Sequence, residues 1–404
     1  MDEDFNAESL KPSRDSLPKH KGFPGVIILF FLYITVYATS QPVSELLVQY
    51  GNTQFLAGNN DAGAASYRLA LQFNEKLRTA ASQCATYVTE KNFELAVPAC
   101  NKVIEINENF VFGYGYRGYV YLQLGKYDLA IADLTRSIEM APINTESYVN
   151  RGLAYLRAGK LDLAIADSTR AIEINPEIDD AYSARGLVYL QLGESDKAVA
   201  DCTHAVTLNQ EKWNAYACLG MVFLVQEKYD LAMSNVEKAL EYEDANWSIF
   251  ITRGLIYARQ GKPDLALADF TKAIELDPSQ SSTFYQRGTI YSSQKNYDLA
   301  IADFDKAIQI NPNYSDAYLW RGNAYADTLN FPQAIADYQK ALASTEDNSA
   351  IVYISCVEGI TYTKIGDFES AIPALEQGVT RDQSGEIGWC KAALENARQG
   401  IATP

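Results

Sequence analysis

The sequence has 404 residues, 48% of them hydrophobic, a formal net charge of −17 and only two histidines. That length and apolar content are enough for a large buried core. The acidic balance argues against nucleic acid as a partner, because phosphate binding needs clustered Lys and Arg. Six cysteines without a Cys-x-x-Cys spacing give no sign of a metal centre or redox chemistry, and no cofactor is expected.

The chain opens on a polar stretch, 1–21, which carries Lys11, Arg14, Lys19 and Lys21. Residues 26–38 have no charge and, with the residues just before them, approach a bilayer span, which needs about 20 apolar residues. The expectation is a transmembrane anchor over 22–39, making this a single-pass membrane protein. The alternative is a cleaved signal sequence, because Ala38-Thr39-Ser40 resembles a cleavage site. No Lys or Arg follows until Arg68, so the positive-inside rule keeps 1–21 in the cytoplasm and sends the remainder across the membrane. Cleavage would leave that remainder secreted or periplasmic.

From residue 44 the sequence becomes periodic. Arg-Gly recurs at multiples of 34 residues: Arg117-Gly118, Arg151-Gly152, Arg185-Gly186, Arg253-Gly254, Arg287-Gly288 and Arg321-Gly322, with Leu219-Gly220 filling the gap. Three residues after each glycine comes an aromatic, as in Tyr155 and Tyr257, and twelve after it an alanine, as in Ala164 and Ala266. Pro142, Pro176, Pro278 and Pro312 close units, because proline cannot continue a helix. A fixed period of this length marks a stack of helical hairpins.

This pattern resembles the tetratricopeptide repeat family. The resemblance implies an all-α fold, a right-handed superhelical solenoid of about ten helix-turn-helix units with a C-terminal capping helix. The units are placed near 44–76, 77–110, 111–144, 145–178, 179–212, 213–246, 247–280, 281–314, 315–351 and 352–383. The solenoid thus covers 44–383, and 384–404 forms the capping helix and tail. A polar last helix is what an open-ended stack needs to stay soluble.

Sixteen residues after each arginine stands an aspartate, giving Arg117 with Asp133, Arg151 with Asp167, Arg185 with Asp201, Arg253 with Asp269, Arg287 with Asp303 and Arg321 with Asp337. Where Leu219 replaces the arginine, Asn235 replaces the aspartate. Sixteen residues span the turn of a hairpin, so the expectation is one structural ion pair per hairpin, holding helix register. The cysteines are expected to pack as small buried thiols. An oxidising compartment would permit Cys84–Cys100 or Cys202–Cys218 bridges, whereas Cys356 and Cys390, 34 apart, are expected not to touch.

Gly113-x-Gly115-x-x-Gly118 matches a dinucleotide fingerprint, but that motif must follow a strand, and here it falls on a repeat helix. With no catalytic motif, the chain is expected not to be an enzyme and to have no small-molecule substrate. The resemblance implies a groove lined by the first helices and partners that are other proteins or peptides. One and four residues after the glycines, the groove candidates are Tyr119, Leu122, Leu153, Leu156, Leu187, Leu190, Met221, Leu224 and Leu255. A second reading packs these side chains between neighbouring units. The expected function is a membrane-anchored scaffold that binds partners along this groove. The alternatives are an exported soluble adaptor, and a regulatory or docking subunit of a separate enzyme or envelope-assembly complex.

Overall fold

The computed structural model describes residues 41–242, 247–382, 385 and 387–402. These residues form 21 helices, without a strand among the described residues. The chain divides into two compact units, the first running to Val222 and the second beginning at Phe223.

The first unit contains α1 (Gln41–Leu56), α2 (Asn60–Phe73), α3 (Glu75–Thr89), α4 (Phe93–Ile106), α5 (Val111–Gln123), α6 (Tyr127–Met140), α7 (Thr145–Arg157), α8 (Leu161–Ile174), α9 (Asp179–Gln191) and α10 (Ser195–Leu208). It also takes most of α11 (Trp213–Val225). The second holds α12 (Tyr229–Leu240), α13 (Trp247–Arg259), α14 (Pro263–Leu276), α15 (Ser281–Ser293), α16 (Tyr297–Ile310), α17 (Ser315–Asp327), α18 (Phe331–Ala343), α19 (Asn348–Lys364), α20 (Phe368–Arg381) and α21 (Gly388–Arg398). Within each unit, consecutive helices pack as antiparallel pairs, and each pair packs on the next.

Local chemistry explains the hairpins. After α9 the chain turns at Gly193, whose φ of +77° suits glycine, and Glu194 N–H returns to the carbonyl of Tyr189 at 2.8 Å. Lys91, Lys295 and Leu329 take the same left-handed position in their own turns. The links between hairpins reuse an Asx turn. The side chains of Asn107, Asn175, Asn209, Asp277 and Asn311 each accept the N–H two residues on, at 2.9 to 3.1 Å.

The repeat glycine allows close approach of the two helices in a pair. A Cβ on Gly254 would stand 2.8 Å from the ring of Phe270, and one on Gly118 would stand 2.7 Å from Cγ of Leu134. Leu134 and Phe270 are fully buried, as are Phe304 and Tyr338 in the two hairpins after Phe270. At Gly118, Gly254, Gly288 and Gly322 the glycine and the bulky group sixteen residues on thus form a knob in a hole, and the close packing recovers many weak dispersion contacts. Gly152 and Gly186 instead face the smaller Ser168 and Cys202.

Two sequence-based expectations need correction. The 22–39 segment lies outside the described residues. Among the described residues no helix is long and apolar enough to cross a membrane, so the single-pass assignment and the localisation built on it do not stand. The apolar run of 13 residues that motivated it was already shorter than a span. The cysteines are also not free: Cys84–Cys100, Cys202–Cys218 and Cys356–Cys390 are all disulfides. Cys356 and Cys390 meet because α21 packs on both α19 and α20, and because Gly378 leaves no side chain between them.

Candidate protein-interaction surface

The arginines come first, because they are the most conspicuous charges of the repeat. In all six hairpins the guanidinium makes two parallel hydrogen bonds to its aspartate. Nε donates to Oδ2 at 2.6 to 2.8 Å, and Nη2 donates to Oδ1 at 2.6 to 2.9 Å. The aspartates are buried, at 5 to 8% exposure, and the arginines are mostly so. Such bidentate, charge-assisted bonds are the strong class. The bond to Asp133 outweighs burial and holds the Arg117 guanidinium above its ordinary pKa.

Five of the six arginines also reach back one hairpin. Nη1 of Arg117 donates to Asn101, that of Arg151 to Thr135, of Arg185 to Thr169, of Arg287 to Thr271 and of Arg321 to Asp305. These acceptors stand sixteen residues before the arginine, as the aspartate stands sixteen after. Aromatic rings complete the enclosure: the Arg151 guanidinium lies 5.7 Å from the ring centroids of both Tyr148 and Tyr155. A guanidinium held by a carboxylate, a second polar group and two ring faces has little capacity left for a ligand.

The apolar candidates divide into two sets. Leu122, Leu156 and Leu224, four residues after their glycines, are buried at 9% exposure. Leu122 packs with Leu134 and with Ala154 of the following hairpin. Tyr119, Leu153, Leu187 and Met221, one residue after the glycine, are half-buried and keep reachable surface in the first unit, as does Leu190. In the second unit Leu255 is half-buried against the Phe270 cluster. Acidic side chains stand at the start of the same helices, with Glu146 exposed on α7, Asp180 half-buried and Asp179 buried on α9. Lys212 pairs with both aspartates, and burial raises the carboxyl of Asp179 above its usual range.

His204 lies with its ring 4.4 Å from that of Tyr182. Among the described residues no cluster of His, Cys, Asp and Glu is arranged to hold a metal.

Family models described as tetratricopeptide repeat match residues 117–177, 179–212, 248–280, 281–314 and 304–343. The chain contains tetratricopeptide repeats. No curated protein matches the sequence. Among solved structures, the chain is similar to the human IFIT1 dimer with PPP-AAAA, with a TM-score of 0.57 and 17% identity over 78% of this chain and 81% of that one. It is similar to the APC/C hetero-tetramer Cut9–Hcn1, with a TM-score of 0.54 and 18% identity over 70% of this chain. There it spans 57% of the other chain. A further similarity is to YrrB, described as a TPR protein with an unusual peptide-binding site, at 28% identity over 45% of this chain and 93% of that one, with a TM-score of 0.34. At these identities the likeness to IFIT1 and Cut9–Hcn1 shows the fold of the repeats.

Proposed function

We propose that this chain is a protein-interaction scaffold whose first unit binds an extended or helical partner segment along Tyr119, Leu153, Leu187, Leu190 and Met221. The segment presents apolar side chains to this row and basic side chains to the acidic surface around it. The observation that carries the reading is the state of the arginines. Because every repeat arginine is held by its own aspartate, the surface beside the apolar row keeps an acidic character. Repetition supplies the affinity: several modest contacts made at successive repeats by one continuous segment add up without any deep pocket. Charge complementarity steers the encounter and weakens with salt.

The test measures binding of fluorescent peptides to the whole chain. One series alternates leucine with lysine, and a matched series alternates leucine with glutamate. The lysine series is expected to bind, and to weaken at least about tenfold in Leu187→Asp or Met221→Asp, with affinity falling as salt rises. Equal binding of both series, or undiminished binding by the folded variants, would overturn the proposal.

A further inference from the structure

The hairpins that lack the Arg–Asp clamp do so in a pattern. In α3–α4 the two positions hold Gln83 and Ala99, in α11–α12 Leu219 and Asn235, and in α19–α20 Glu358 and Ala374. Each of these three hairpins carries a half-cystine on its first helix: Cys84, Cys218 and Cys356. Cys84 bonds across its own hairpin to Cys100 on α4. Cys218 bonds back to Cys202 on α10, and Cys356 bonds forward to Cys390 on α21. The six hairpins with the clamp share one cysteine among them, Cys202, and it is the partner of Cys218. Among the described hairpins, α1–α2 alone lacks both devices, and there Tyr67 sits among the rings of Phe55, Phe110 and Phe112.

The surroundings are cut to fit the sulfurs. Cys84 occupies the slot that holds glycine in the regular repeats, and Cys100 occupies the slot of the opposing bulky residue. A Cβ on Gly186 would stand 2.6 Å from Sγ of Cys202 and 3.2 Å from Sγ of Cys218. Gly378 takes the slot where Ala171, Ala205, Ala273, Ala307 and Ala341 stand in other hairpins. A Cβ there would lie 2.5 Å from Sγ of Cys356 and 3.4 Å from Sγ of Cys390. Loss of the ion pair, gain of the cysteines and clearance around them therefore go together.

We propose that the three disulfides replace the ion-pair clamp, so that the thiol state of the chain sets whether three defined parts of the fold are fastened. Reduction at each site breaks one S–S bond. A dithiol supplies two electrons and two protons and closes to its own disulfide, leaving two protein thiols. All six cysteines are at most 1% exposed, so a reductant reaches them only through local opening. Once reduced, the α3–α4, α10–α11 and α19–α21 contacts have no covalent fastener and no repeat-type Arg–Asp clamp; α10 keeps its clamp to α9 through Asp201, and the exposed Arg398–Glu376 pair still links α20 and α21. The clamped hairpins, such as α7–α8 and α15–α16, are unaffected.

The test begins with a thiol count under denaturing conditions on the whole chain purified without reductant. No free thiol is expected, and six would overturn the proposal. Amide exchange is then followed by mass spectrometry with and without dithiothreitol. Reduction is expected to speed the slowest amides of α3, α4, α11 and α19 to α21 on the order of 100-fold, from the effect of closing loops of this size. Amides of α7, α8, α15 and α16 should hold their rates. A uniform acceleration along the chain, or none at the three sites, would overturn it. A transplant tests equivalence: in Cys84→Ala/Cys100→Ala, adding Gln83→Arg with Ala99→Asp should restore most of the lost protection of α3 and α4. A folded quadruple variant with no recovery would refute the substitution of one clamp for the other. Reduction of the unsubstituted chain does not depend on whether these variants fold.

Discussion

Arg151 and Asp167 face each other across the α7–α8 turn in a flat, doubly hydrogen-bonded pair, Nε to Oδ2 at 2.7 Å and Nη2 to Oδ1 at 2.8 Å. Their side chains are 15% and 8% exposed, so the pair lies mostly out of water. Removing one partner leaves the other charge without compensation.

Arg151→Met alone is therefore expected to destabilise the chain by about 3–5 kcal/mol, and Asp167→Leu alone by a similar amount. The double variant Arg151→Met/Asp167→Leu should recover most of that loss, because neither charge remains to be satisfied. Urea denaturation of the four proteins gives the coupling directly. Additive losses would show that the two side chains act independently.

Glu358 stands where regular hairpins have arginine, 7% exposed, and burial raises its carboxyl pKa above the ordinary glutamate range, partly offset by a hydrogen bond from Gln339. The folded chain thus keeps this proton to higher pH than the unfolded chain. As pH rises from the ordinary glutamate value to the raised one, the native state binds more protons than the unfolded state, so stability falls; above both values it levels off. Glu358→Gln should remove this contribution. Its stability advantage over the parent should be larger at pH 7.5 than at pH 4, and an advantage independent of pH would contradict the assignment.

Leu329 has φ at +62° and is 74% exposed, in a turn where other hairpins place Gly125, Gly159, Gly193 and Gly261. A side chain in that conformation costs about 1–2 kcal/mol. Leu329→Gly is expected to raise the melting temperature, with little packing lost. A lower melting temperature would mean that the leucine makes contacts worth more than the backbone strain.

Gly254→Ala introduces a methyl 2.8 Å from the Phe270 ring, which is fully buried. The expected loss is about 1–3 kcal/mol. Pairing it with Phe270→Leu, which frees part of that space, should make the alanine less costly than it is alone. Calorimetry of the single and paired variants reads the difference.

The partners Arg185 and Asp201 could be read from the sequence because sixteen residues cover the rest of one helix, the turn and the return. The backward bond from Arg185 to Thr169 has the same spacing and was equally available, but threonine is common enough on helices to pass unnoticed. Cys356 and Cys390 could not be paired in advance. A separation of one period places residues at equivalent points on neighbouring hairpins, usually with a side chain between. Contact depends on the missing side chain at Gly378, a one-atom change that periodicity does not reveal. The candidate surface was legible as a set of slots, but not as exposure. Leu153 and Leu156 are alike in sequence, and only packing shows that the first keeps some surface while the second is buried.

The backward reach of Nη1 gives the array a direction. When Arg185 and its hairpin are complete, the guanidinium needs Thr169, Asp201 and the rings of Tyr182 and Tyr189, and nothing C-terminal to Asp201. A chain made from its N-terminus can therefore satisfy each hairpin as it leaves the ribosome, seating it on one already in place. Synthesis at about 5–20 residues per second allows a few seconds for each period. Trimming should be equally asymmetric: loss of a C-terminal hairpin costs its predecessor only an optional donor, whereas loss of an N-terminal one leaves Nη1 of the next guanidinium without its acceptor.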